Sequence, residues 1–341
     1  MTIKITTRNA KEYLLDVLKA GLVPMLTSSP GLGKSSIAAE IAKEAKLKLI
    51  DIRLAQCDPT DLNGFPTVNA KTNKSSYLPM DTFPIEGDPL PEGYSGWLLL
   101  FDEITSATLA VQGASYKIIH DRMINQFKLH SSVALMAAGN LTTDRAVVNR
   151  ISTALQSRMI HFEMEADTSH WSEWAGQTEI DHRVQSFINF KPNSLHMFDP
   201  DHNDKTFACP RTWEFVSKII KDWSDVNHKK IPVIAGAIGE GMAREFIAFC
   251  GIYQSLPTIQ EFLNSPETVS ISPEPSIKYA ITGLLSNHMS IDNIDKLMIA
   301  VMRLPIEFQI ICLRPVLKRI KGIQNNTNIR KWIAINAQDL V

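Results

Sequence analysis

The chain is short of several things, and each shortage removes a class of function. It has four cysteines in 341 residues (Cys57, Cys209, Cys250 and Cys312), with no C-x-x-C pair among them. That spacing excludes a zinc ribbon or a disulfide scaffold and reads as reduced, mostly buried thiols. No apolar run approaches the roughly 20 residues that a membrane helix needs. The opening Met1-Thr2-Ile3-Lys4-Ile5 lacks the apolar core of a signal peptide. A cytoplasmic protein with no membrane span is expected. The formal net charge is only −1, so no global basic field draws the chain to nucleic acid. Nor do aromatic and basic residues alternate as in a groove that stacks bases. Internal repeats and low-complexity tracts are missing as well.

What remains is an ordinary globular composition, 44% hydrophobic and 21% charged. The length exceeds what one compact domain usually needs, so two are expected. We place an α/β domain at 1–164, with an insert at about 60–95, and a mainly helical region at 165–341.

The most informative stretch is Ser28-Ser29-Pro30-Gly31-Leu32-Gly33-Lys34-Ser35-Ser36. An apolar run, 22–26, precedes it as a short buried strand, and a run of helix formers from Ile37 to Lys43 follows. Strand, glycine loop and helix form the context that a phosphate-binding loop requires. Gly31 and Gly33 let backbone N–H groups approach phosphate oxygens, and the helix adds the positive end of its dipole. In such a loop Lys34 reaches the β- and γ-phosphates of ATP, and the Ser35 hydroxyl sits on Mg²⁺. The full pattern G-x-x-x-x-G-K-[ST] has Ser28 where its first glycine belongs. That glycine eases the turn out of the strand, whereas Gly33, Lys34 and Ser35 make the direct contacts.

Downstream, 47–54 reads as a second strand. The stretch from Cys57 to Gly96 is rich in proline and glycine, with segments 65–69 and 74–78 flanking a polar turn as in a small hairpin. It is either a solvated loop or a partner contact through Phe65 and Tyr77. Trp97-Leu98-Leu99-Leu100-Phe101-Asp102-Glu103 is an all-apolar strand ending in two acids. Such a strand is buried on both faces of a parallel sheet, and its carboxyl end is where these sheets bind ligands. After a phosphate loop this is a Walker B signature. Asp102 would hold Mg²⁺ through water, and Glu103 would polarise the water that attacks the γ-phosphate.

A fourth strand, 133–140, ends at Asn140, placed either to orient that water or to sense the γ-phosphate. By itself an Asn after Gly is more often a turn residue. A short helix ending at Arg158 precedes a fifth strand at 159–164. Arg158 is a candidate arginine finger, a group worth roughly 10³–10⁵ in rate, with Arg150 and Arg145 as rivals. Helical patterns fill the remainder, among them 233–250 and the helix opened by Pro210-Arg211-Thr212-Trp213. Trp171 and Trp174, at helical spacing, read as core.

Taken in order, these motifs resemble an AAA+ ATPase, with the finer match to the MoxR-like group. The carrying residues are Ser29 to Ser35, Asp58-Pro59-Thr60-Asp61-Leu62-Asn63-Gly64, Leu100 to Ile104, Ala138-Gly139-Asn140, Ala154 to Arg158 and Cys209 to Trp213, spanning roughly 20–220. The resemblance implies a five-stranded parallel sheet, a helical lid, and ATP bound between subunits of a homo-oligomeric ring, commonly a hexamer. It implies that Arg158 is offered to the neighbour's nucleotide and that Arg211 reports the γ-phosphate to the lid. It places the insert at 61–77 toward a pore or partner. It further implies chaperone-like remodelling of a protein partner, often one with a von Willebrand factor A domain. Two other functions use the same core: a nucleic-acid-processing motor or loader, which the neutral charge disfavours, and a nucleotide switch with little hydrolysis, which Asp102 and Glu103 disfavour.

Overall fold

The computed structural model describes residues 3–71, 73–144, 149–201, 204–253 and 256–336. The chain divides into two compact units, one running to Glu165 and the other beginning at Ala166, with a few residues from Asp199 belonging to the first.

The first unit is built on a parallel sheet. Its strands are β1 (Lys4–Thr6), β2 (Pro24–Ser28), β3 (Leu47–Arg53), β6 (Gly96–Asp102), β9 (Val133–Asn140) and β10 (Ile160–Glu165), in the order β1-β10-β2-β9-β6-β3. Every pairing in it is parallel. The five expected strands are all present. The addition is β1, three residues long at the edge, where only Ile5 is buried. Two small antiparallel ribbons stand apart from the sheet: β4 (Phe65–Asn69) with β5 (Lys74–Leu78), and β7 (Met123–Ile124) with β8 (Phe127–Lys128). The first of these is the hairpin read from the insert. It leaves Phe65, Val68 and Leu78 exposed.

Burial explains the sheet. Every residue of β6 is buried, as an apolar run with helices on both faces demands. Trp97, Leu99 and Phe101 enter one cluster with Met25 and Ala137 from neighbouring strands. Val111 and Ile118 close that cluster from helix α4 (Leu109–Asp121), which follows α1 (Thr7–Lys19), α2 (Lys34–Glu44) and α3 (Pro59–Asn63). The short α5 (Thr153–Gln156) precedes β10 and adds Leu155 to the same cluster. Burying five large apolar side chains at roughly 1.5–3 kcal/mol each makes β6 the strand whose disruption the unit would least survive.

The second unit is helical among its described residues: α6 (Thr168–Gln177), α7 (His182–Phe190), α8 (Pro210–Ile220), α9 (Ile231–Ile238), α10 (Glu240–Tyr253), α11 (Ile259–Asn264), α12 (Pro275–His288), α13 (Ile294–Val301), α14 (Ile306–Arg319) and α15 (Thr327–Asn336). The pattern at 233–250, read as one helix, is two, because Gly239 takes φ +83° and ends α9 before α10 starts. Trp171 is buried in the core with Trp213, Phe187 and Phe246, and Trp174 packs against the same cluster. Lys318 pairs with Glu173, and Arg319 donates to the carbonyls of Ser286 and Met289 at the end of α12. Among the described residues, no helix is long and apolar enough to cross a membrane. The four cysteines are unpaired, with Cys209, Cys250 and Cys312 buried.

Candidate phosphate and metal site

The site lies at the carboxyl ends of β2, β6 and β9, and local backbone geometry builds it. Gly31 and Gly33 both have φ +83°, the left-handed region where a side chain is strained. Gly33 is the N-cap of α2, so the loop ends with the first N–H groups of that helix aimed out of it. The loop runs through Ser29, Pro30 and Leu32, which anchors it by burial.

Side chains that the sequence separates by more than a hundred residues meet here. The Lys34 ammonium donates to Asn140 Oδ1 at 3.0 Å, to Ser28 Oγ at 3.1 Å and to the Ser28 carbonyl at 3.2 Å. The pairing of β2 with β9 sets this meeting, since Ser28 and Asn140 are register partners at the ends of adjacent strands. Ser35 Oγ donates to Asp102 Oδ2 at 2.7 Å. The two residues read as metal ligands are therefore already in contact. Ser29 Oγ donates to the buried Asp144. Ser36 is exposed one residue further along α2.

The acidic end of β6 is strained. Glu103 sits at φ 57°, ψ 29°, a left-handed conformation for a non-glycine residue, while its N–H donates to Asp102 Oδ1 at 2.8 Å. Strain of this kind collects where a side chain must be aimed. Asp51 on the neighbouring strand reports the local field. Burial pushes its carboxyl above the usual range, and the negative charge of Asp102 pushes the same way. Arg53 pulls it down, and Glu103 raises it further. Hard oxygen donors from Ser35 and Asp102 suit Mg²⁺.

One partner was invisible in the sequence. Thr105, buried two residues beyond Glu103, accepts the Asn140 N–H on its hydroxyl at 2.9 Å and the Asn149 N–H on its carbonyl at 2.6 Å. It packs so closely on Gly139 that a Cβ there would lie 2.7 Å from both Thr105 Oγ1 and Cγ2. Thr105 thus ties the turn bearing Glu103 to the strand end bearing Asn140. No local pattern marks it, because its partners arrive from the end of β9 and from Asn149 beyond it. An open cleft of about 750 Å³ adjoins it, lined by Thr27, Thr105, Asn140, Arg150 and His161 among others. His161 is bonded to the Gln156 carbonyl at 2.8 Å.

Of the residues singled out earlier, Arg158 stands apart from this cluster. Arg158 is folded onto its own segment, donating to the Ala154 carbonyl at 3.2 Å with its guanidinium 5.4 Å above the Tyr116 ring. It also donates to Ser157 Oγ at 2.5 Å, and Glu163 pairs with Lys4. Arg150 is exposed, and Arg145 lies outside the described residues. Arg211 belongs to the second unit, exposed in the first turn of α8, where Thr212 caps the helix start by accepting the Cys209 N–H.

No protein-family model and no curated protein matches the chain. Solved structures do. One is a candidate ATPase from Cytophaga hutchinsonii, 13% identical, covering 98% of this chain and 90% of that one, with a TM-score of 0.37. Another is RuvB, a Holliday junction branch migration motor from Thermotoga maritima, 16% identical, covering 71% of this chain and 68% of that one, with a TM-score of 0.39. A third is NtrX from Brucella abortus, 12% identical, covering all of this chain and 68% of that one, with a TM-score of 0.41. Identities and scores in this range assign no family, so the residues themselves carry the functional conclusion.

Proposed function

We propose that the chain is a magnesium-dependent ATPase of the AAA+ type, MoxR-like in its motifs. In this reading it works in the cytoplasm as a ring, a hexamer, and remodels a protein partner, of which one bearing a von Willebrand factor A domain is the leading candidate. The observation that carries the ATPase reading is the convergence of Lys34, Asn140, Ser35 and Asp102 at one sheet end, beneath a loop with two left-handed glycines.

Each residue has a role that its placement suits. Backbone N–H groups from Gly31 to Ser36 receive phosphate oxygens at the start of α2. Lys34 moves from Ser28 and Asn140 onto the β- and γ-phosphates. Ser35 and Asp102 would hold magnesium, which when bound would supply positive charge against the phosphates. Glu103 takes a proton from the water that attacks the γ-phosphorus, the bond to the bridging oxygen breaks, and ADP departs. Asn140 orients that water. Arg158, turned away from its own chain's site, is available to a neighbour's, and Arg211 couples the phosphate to the helical unit.

The test is ATP turnover per subunit measured across a wide range of protein concentrations, with Glu103→Gln as the control. Turnover that rises with concentration to a plateau, and a control that binds ATP without hydrolysing it, are expected. Tight ATP binding with no turnover at any concentration would leave only a switch. Stimulation by nucleic acid that high salt abolishes would favour a nucleic-acid motor.

A further inference from the structure

The loop departs from the usual pattern at one residue, and that residue touches the catalytic lysine. Glycine at position 28 would offer Lys34 a carbonyl and nothing more. Ser28 is completely buried, and its hydroxyl is used from both sides. It donates to the Ser29 carbonyl at 2.9 Å and accepts from Lys34 Nζ at 3.1 Å. With the Ser28 carbonyl and Asn140 Oδ1, it gives the ammonium three oxygen acceptors within 3.2 Å. An ammonium has three N–H donors, so its hydrogen-bonding capacity is matched before any phosphate arrives.

We propose that the Ser28 hydroxyl is a latch on Lys34 that sets how readily the empty loop accepts a nucleotide. The inference rests on the phosphate-site reading above and adds a regulated step to it. A triphosphate must draw the ammonium off three acceptors, one of which exists only because position 28 is serine. The bond is between a charge and a buried hydroxyl, so water does little to replace it when it breaks. Lys34 contacts are made during phosphate capture, so the latch slows association and leaves dissociation of bound nucleotide nearly unchanged.

Two measurements on the full chain test this. Stopped-flow binding of a fluorescent, non-hydrolysable ATP analogue to Ser28→Ala and Ser28→Gly should show affinity tighter by about fivefold, as expected for one released hydrogen bond, with the gain in the association rate. Unchanged or weaker binding by both variants would overturn the latch. The second measurement needs no nucleotide. Limited amine labelling of the empty protein, read at the Lys34 peptide by mass spectrometry, should run several-fold faster in Ser28→Ala, with exposed lysines such as Lys48 as internal standards. Equal Lys34 labelling in both proteins would refute the latch whatever the nucleotide does. If labelling differs but neither protein binds the analogue, the latch stands and the ATP reading falls.

Discussion

Gly139→Ala is the substitution whose consequence the structure specifies most fully. The new methyl would meet Thr105 Oγ1 and Cγ2 at 2.7 Å and Met25 Cε at 3.1 Å. Ordinary contact begins near 3.4 Å, so Thr105 or the end of β9 must move by about 0.7 Å. Met25 is fully buried on β2 and Thr105 is held by two backbone donors, so neither yields freely. Overpacking of this kind costs about 1–3 kcal/mol. At roughly 2–4 °C per kcal/mol for a unit of this size, the melting temperature should fall by several degrees. Catalysis should suffer more than stability. The displaced element carries Asn140, whose amide oxygen meets Lys34 at 3.0 Å, and misplacement near 1 Å can cost on the order of a hundredfold in rate. We expect kcat to drop at least about tenfold with KM changed much less, because the loop that binds most of the nucleotide is untouched. The assay is steady-state ATP turnover paired with thermal unfolding. Adding Thr105→Ser removes Cγ2 while keeping the hydroxyl that accepts the Asn140 N–H, and should recover part of both losses. A Gly139→Ala protein with wild-type kcat and melting temperature would show that the contact transmits nothing to Asn140.

Other consequences can be checked more briefly. Lys34→Ala should abolish ATP binding by calorimetry, and tight binding by that variant would remove the loop from its assigned role. Arg158→Ala should bind ATP and fail to hydrolyse it, while mixing it with Glu103→Gln protein should restore turnover if the arginine acts on a neighbour's site; no recovery in any mixture would shift attention to Arg150. Burial pushes the Cys250 and Cys312 thiols up to about 12, so both should resist thiol reagents at pH 8 until the chain unfolds, as mass spectrometry of labelled peptides would reveal. Because these folded-state values lie above the ordinary thiol value of 9.0, their contribution to stability is fully present below pH 9 and declines as the pH rises toward 12.

The features legible in the sequence are those encoded by neighbouring residues. The run from Trp97 to Phe101 could be read as a central strand because burial on both faces leaves no polar position in it. The loop from Ser29 to Ser35 could be read because its chemistry is local to one turn and one helix start. β1 was illegible because three residues with one buried side chain have no period, and β10, its partner in the sheet, lies more than 150 residues away. Gly239 did not announce a break, since a glycine within an apolar helical pattern is compatible with an unbroken helix. Thr105 and the Lys34–Asn140 contact belong to the same class as β1. Their meaning comes from strand register, and a single chain read in order does not display register.

Glu103 carries a further consequence. Its left-handed backbone costs on the order of 1 kcal/mol or more, which the fold supplies from elsewhere. Asparagine occupies that conformation with less penalty, so Glu103→Asn should raise the melting temperature while removing the carboxylate that we propose activates water. Differential scanning calorimetry beside a turnover assay would separate the two effects. Selection for a robust fold and selection for chemistry therefore pull this one position in opposite directions. A descendant of this chain released from catalysis would be expected to drift there first.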